Sequence, residues 1–327
     1  MSADSVPRLI TSAAARRSGV ANDPLERAAE RGELTRVRQG AYAETVDWLA
    51  ARPEERHYAL VVAAQAAAKR AMVFSHESAA GLLGIPVLGA LPSRPHATSD
   101  FLRPRRSTNA VIWHTGDLAG DVVETEGFLC TSPLRTLIDV FGSRDFASGV
   151  VSLDHVLARP EIYGVRRRDL LERLSHVGPF RNSTRAARVV EFATGLSESP
   201  FESLSMVRFW EGGFPLPEQQ ARFEVDGAVY FADFFFEHED VVGESDGRGK
   251  YRDPVFLRGR TPEEALAQEK EREDAIRSCV RGFVRWGWDD AMQAQPLFRK
   301  LERAGIRASR ARLATKPHPR VRSFRER

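Results

Sequence analysis

The run from Ala221 to Tyr251, ARFEVDGAVYFADFFFEHEDVVGESDGRGKY, sets the architecture of the C-terminal half. Arg222 to Val225 alternates polar and apolar residues, the period of a half-buried strand. Asp226-Gly227 follows, two residues that tolerate positive φ and so close tight hairpins. Val229 to Glu237 is β-branched and aromatic, a second strand. Glu239-Asp240 turns the chain, and Val241 to Asp246 gives a third short strand. Asp233, Glu244 and Asp246 lie within this sheet. Glu244 and Asp246 are two apart and share one strand face. Pairing of the second and third strands sets Asp233 beside Glu244. Converging carboxylates repel unless protonated or bridged by a cation. Hard divalent ions, Mg²⁺ above all and Mn²⁺ as its substitute, suit such an all-oxygen site. Without an ion, the same acids read as turn residues and a solvated strand face.

The flanks extend the pattern. Ser199-Pro200-Phe201-Glu202 opens a helix, with Ser199 as N-cap and Pro200 at the first position. Thr261-Pro262-Glu263-Glu264 opens a second helix, running to about Cys279. Gly282 to Trp286 reads as a return strand, and Asp289 onward as a last helix. The predicted order is helix, three-strand meander, helix, strand.

This order resembles the PD-(D/E)XK nuclease fold, in the branch similar to very-short-patch-repair endonucleases. The matching residues are Glu202 in the first helix, Asp233 in the second strand, Glu244-Ser245-Asp246-Gly247, Lys250-Tyr251, Glu269 to Arg272 and Arg285-Trp286. The resemblance covers roughly residues 198–292. It implies that Asp233 and Glu244 hold Mg²⁺ or Mn²⁺, that Asp246 shares the ion or orients water, and that Glu202 orients a metal-bound water. Lys250 would offset charge at phosphorus, and Arg285 would contact nucleic acid. One departure stands out: the superfamily pattern puts lysine where this chain has Asp246, which leaves Lys250 as the candidate replacement.

At 327 residues the chain is long enough for two or three domains. A hydrophobic content of 42% and a charged content of 28% describe a globular protein. No apolar run approaches the length of a membrane span, and no apolar signal core opens the chain. Cys130 and Cys279 lie far apart without metal-site spacing, which points to a reducing cytoplasm. From Arg299 to the end, eleven Lys/Arg face two acids, so this tail carries about +9 and the remainder about −6 of the net +3. Such a tail either gains affinity for a polyanion by counterion release or is a disordered solubilising segment.

Near the N-terminus, Leu9, Ile10 and Ala13 to Ala15 predict a helix ended by Gly19. Asn22 caps a second, from Pro24 to Arg31, ended by Gly32. Leu34 to Tyr42 reads as a β-wing bent at Gly40. The spacing of Leu34, Val37, Gly40 and Tyr42 resembles the winged helix that heads abortive-infection type IV antitoxins. That resemblance implies contact with double-stranded DNA, Arg36 and Arg38 touching phosphate. The second helix also carries Glu26 and Glu30, which repel phosphate. A winged helix used for protein contacts is the other reading.

The middle part continues the antitoxin resemblance at Ser75-His76-Glu77-Ser78-Ala79-Ala80 and at Thr131 to Asp139. It reads as an Ala-rich helix (Glu54 to Lys69), a short helix ending at Leu83-Gly84, strands at Arg94 to Thr98, Ala110 to His114 and Val122 to Glu124, and a helix capped by Ser132. Helices at Arg167 to His176 and Ser183 to Phe192 lead to the C-terminal part. His76 reads as a hydrogen bonder at a helix start and His114 as a surface strand residue, since neither has a paired ligand at close spacing.

The expectation is an α/β multidomain chain: a winged helix (1–52), an α/β middle domain with a helical bridge (53–195), a restriction-endonuclease-like mixed sheet flanked by helices (196–298) and a basic tail (299–327). The expected function is metal-dependent endonuclease cleavage. The alternative is a DNA-binding regulator or antitoxin, with a toxin partner and a catalytically degenerate nuclease-like domain.

Overall fold

The computed structural model describes residues 6–12, 23–177, 182–246, 261–309 and 325–326. Two compact units emerge, Met1–Ser152 with Glu161–Ala186, and Leu153–Pro160 with Ala187–Arg327. Each mixes helices with β-sheet, so the class is α/β. Among the described residues, no helix is long and apolar enough to cross a membrane.

The N-terminal unit begins with strand β1 (Leu9–Thr11), helix α1 (Asp23–Glu30) and the hairpin β2 (Leu34–Arg38) and β3 (Ala41–Glu44). The sheet order is β1-β3-β2. The hairpin forms as expected, with Gly40 at φ +75°, a conformation that favours glycine. The helix expected from Leu9 does not begin there. Leu9 and Ile10 pair antiparallel with Ala43 and Tyr42, and these ladder bonds outweigh the weak helix preference of the segment. The rest of that expected helix falls in residues 13–22, outside the described residues.

Helices α2 (Thr45–Ala50) and α3 (Pro53–Ala67) follow. A second sheet then has the order β6-β5-β4-β8-β7. Its strands are β4 (Val73–Phe74), β5 (His96–Ser99), β6 (Ile112–Thr115), β7 (Val122–Thr125) and β8 (Phe128–Thr131). Helix α4 (His76–Leu83) lies between β4 and β5 in sequence, and α5 (Pro133–Ser143) follows β8. Ser132 caps α5 by accepting from the Arg135 amide, and Gly84 ends α4 in the left-handed conformation. The core gathers Val61, Phe74, Ala79, Leu82, Ala97 and Cys130. Helices α6 (Phe146–Leu157), α7 (Pro160–Tyr163), α8 (Arg167–Val177) and α9 (Ser183–Phe192) complete this part of the chain.

The C-terminal unit is built on α10 (Pro200–Glu211), β9 (Glu218–Val225), β10 (Ala228–Phe236), β11 (Val241–Asp246), α11 (Pro262–Arg277) and β12 (Gly282–Gly287). The sheet order is β12-β11-β10-β9-β13, where β13 is Arg325–Glu326. Strands β9 to β11 form the antiparallel meander, and β12 returns parallel to β11. The β9–β10 turn has Asp226 at φ +51° and Gly227 at φ +77°, the geometry that Asp-Gly favours. On one face Phe223, Ala232, Phe235 and Val242 pack with Ile276 of α11. On the other, Phe209 of α10 meets Phe234, Phe236 and Trp286 edge-on. Gly243 makes room for this packing, since a Cβ there would lie 2.7 Å from the Trp286 ring. Helices α12 (Trp288–Gln293) and α13 (Gln295–Arg303) close the unit. The basic tail therefore starts inside α13, and its residues 310–324 lie outside the described residues.

Candidate functional site

Strand β10 departs from strict alternation at Asp233. Ala232 and Phe235 are three apart, yet both join the core cluster against α11. Across the ladder, the pairs Ala232–Ala221 and Phe234–Gln219 flank Gln220, which holds φ +52°. Asp233 itself is half-buried. Its Oδ2 accepts from the Ser245 amide at 2.9 Å and from the Ser245 hydroxyl at 2.7 Å.

Glu244 lies on β11, one residue beyond Gly243, whose pairing with Phe234 ends the β10–β11 ladder. Its side chain is buried at 5% exposure. Arg272 of α11 donates to Oε2 at 2.6 Å, and Arg285 of β12 donates to the same oxygen at 3.2 Å. Among the described residues, Oε1 is buried and has no hydrogen-bond partner. Burial pushes the Glu244 carboxyl above its ordinary range; Arg272 opposes that shift and the nearby Asp233 charge adds to it. Arg272 also donates to Glu269 and to the Phe231 carbonyl, and Arg285 bridges to Glu269 and Glu273.

Glu202, in the first turn of α10, completes the acidic group. Its amide donates to Ser199 Oγ, and its carboxylate accepts from Ser199 Oγ and the Glu198 amide, so it locks the helix start. Gln220 donates to it at 3.2 Å. Burial, then the charge of Asp233, raises its pKa to about 7. Asp233 thus acts electrostatically on both Glu202 and Glu244.

The arrangement differs in one respect from the expected convergence. Asp233, Glu244 and Asp246 are not drawn into a group with all ligand atoms within 4.8 Å of one another; among the described residues only three histidines are. Glu244 is pulled toward two guanidinium groups, Asp233 toward Ser245, and Asp246 is exposed at the strand end. Lys250 lies outside the described residues. Arg285, expected at nucleic acid, is engaged by Glu244, Glu269 and Glu273. In the N-terminal unit, Arg38 donates to the Ala63 carbonyl at 3.0 Å and its Nε is buried, without a partner among the described residues, so this wing arginine is committed to the fold. Arg36 lies on β2 opposite Tyr42.

An oxygen-only donor set with a buried Glu244 Oε1 that lacks a partner among the described residues fits a hard divalent cation. What the sequence does not reveal is that Arg272 and Arg285 both bind Glu244 Oε2. Nothing local links Arg272 to a carboxylate 28 residues earlier. Comparison with protein-family models and with curated proteins gives no match.

Glu202 yields a testable pH dependence. A carboxyl whose folded pKa is raised binds its extra proton in the folded state. Its stabilising contribution is full below about pH 4.5 and is lost as the pH rises through about 7. Denaturant melts in metal-free buffer are expected to show stability falling across this window, and Glu202→Gln to flatten the fall. An unchanged pH profile in the variant would rule this source out.

Proposed function

We propose that the C-terminal unit cleaves a nucleic-acid phosphodiester with the help of a divalent metal ion, and that the N-terminal unit contributes contacts to duplex DNA. The observation that carries this reading is the buried Glu244 Oε1, without a hydrogen-bond partner among the described residues, on a carboxyl that feels the Asp233 charge, in a meander-plus-parallel-strand sheet of the order expected from the motifs. Asp233 and Glu244 would hold Mg²⁺ or Mn²⁺. When bound, such an ion polarises a phosphoryl oxygen and lowers the pKa of an attacking water. The chain's own groups prepare the place. Ser245 fixes Asp233 by two bonds to one oxygen, and Arg272 and Arg285 fix Glu244 by its Oε2. Glu202, partly protonated near neutrality, is placed to take up or release a proton beside them. The test is strand scission of supercoiled plasmid, single-stranded DNA and RNA in Mg²⁺ or Mn²⁺, with chelator as the blank.

A second reading has its own support. Two guanidinium groups on Glu244 already neutralise it, and Asp246 stands where the superfamily has lysine. These features favour a DNA-binding regulator or antitoxin in which the nuclease-like site has lost turnover. Both readings require DNA affinity. Arg36→Ala is expected to weaken binding to all duplex sequences alike and to reduce the steepness of log affinity against log salt by about one. Fluorescence anisotropy at several salt concentrations measures this; an unchanged slope takes Arg36 out of the interface.

A further inference from the structure

The N-terminal unit brings together three histidines from separate segments. His76 opens α4, His96 opens β5 and His114 lies on β6. In the parallel β5–β6 register, His96 pairs with Ile112 and Thr98 with His114, so both histidines fall on one sheet face. The His76 ring stacks on that of His114 with centroids 3.7 Å apart. One ligand nitrogen from each of the three lies within 4.8 Å of the others. His76 is held at φ +54°, a conformation that costs a non-glycine residue energy and that clusters at functional sites.

The spacing matches coordination geometry. His114 Nε2 is 3.2 Å from His96 Nδ1, and Glu77 Oε2 is 3.3 Å from the same nitrogen. Two donors each about 2.0–2.1 Å from a tetrahedral ion lie roughly 3.3–3.4 Å apart. Glu77 is 3% exposed. Arg144 and Ser143 hold its Oε1 at 2.6 and 3.1 Å, and among the described residues Oε2 is buried without a hydrogen-bond partner, facing His96 Nδ1. Asp139 repeats the device. Arg135 holds Oδ1 at 3.0 Å, while Oδ2 is buried, without a hydrogen-bond partner among the described residues, and 3.7 Å from His76 Nδ1. With Nδ1 of His76 facing Ser75 Oγ and Asp139, its Nε2 is the nitrogen left for an ion.

We propose that His76, His96 and His114, with Glu77, form a binding site for a divalent transition-metal ion of the zinc type. Imidazole nitrogens with one carboxylate suit Zn²⁺ and its neighbours rather than Mg²⁺. The site is separate in residues and in ligand chemistry from the acidic group of the C-terminal unit.

The test uses the untagged full-length chain, stripped with chelator and dialysed. It is titrated with ZnCl₂ by calorimetry and with CoCl₂ by visible absorption. One equivalent of Zn²⁺ is expected to bind, to displace Co²⁺ showing tetrahedral absorption bands, and to persist in Asp233→Asn. His114→Ala and His96→Gln, with folding checked by circular dichroism, are expected to lose at least about a hundredfold in Zn²⁺ affinity. If either variant fails to fold, Glu77→Gln serves in its place, with an expected loss of about tenfold or more. No Zn²⁺ uptake by the wild-type chain overturns the proposal. So does uptake unchanged in every folded variant, or uptake lost in Asp233→Asn and kept in His114→Ala.

Discussion

Asp233→Asn is expected to remove Mg²⁺ binding from the C-terminal unit and to lower metal-dependent cleavage by on the order of 10²-fold or more, a loss typical of removing a group that stabilises transition-state charge. The amide preserves the shape of the carboxylate, and its oxygen can still accept from the Ser245 amide and hydroxyl, now at 2.9 and 2.7 Å from Oδ2. What disappears is the negative charge. That charge also raises the pKa of Glu202 and Glu244, so its removal relieves repulsion within a buried acidic group. Metal-free stability is therefore expected to stay equal or rise, and DNA affinity to stay near wild type. Calorimetry with MgCl₂, thermal melting and a strand-scission assay on the same preparation separate the three effects. A variant that loses stability and binding together would show that Asp233 serves the fold.

Trp286→Ala is expected to cost about 3–5 kcal/mol, the range for truncating a buried large aromatic residue. Trp286 is 1% exposed on β12. It stacks on Phe234 and meets Phe209 edge-on, with centroids 5.5 Å away in both cases. Its indole N–H donates to Ser205 Oγ at 2.8 Å, so truncation opens a cavity and also strips a buried hydroxyl of its partner. Against a typical stability of about 5–15 kcal/mol, this is a large fraction. Urea unfolding, monitored by far-ultraviolet circular dichroism, measures it. A cost below about 1 kcal/mol would contradict the packing described between α10 and the sheet.

The C-terminal sheet was largely legible because its signals are local. Asp226-Gly227 prescribes its turn, the aromatic run Phe234 to Phe236 prescribes a buried strand, and Ser199-Pro200 and Thr261-Pro262 prescribe two helix starts. The two sheets of the N-terminal unit were less so. Strand β4 has two residues, too few to show alternation, and β1 is defined by pairing with β3 across more than thirty residues. Side-chain partners were least legible. Glu244 meets Arg272 and Arg285 only after β11, α11 and β12 are assembled. His76, His96 and His114 sit on three different elements, and their spacing follows no metal-ligand pattern in the sequence. His114, expected on the surface, is half-buried and stacked on His76. Glu202, expected to orient water, also locks the helix that carries it.

The most direct measurement is the rate of plasmid nicking in Mg²⁺ by the wild-type chain and by Asp233→Asn, purified and assayed side by side. Metal-dependent nicking by the wild type, abolished by chelator and reduced at least about a hundredfold in the variant, is the predicted result. Equal rates in the two proteins, or Mg²⁺ bound with no scission of plasmid, single-stranded DNA or RNA, would contradict it.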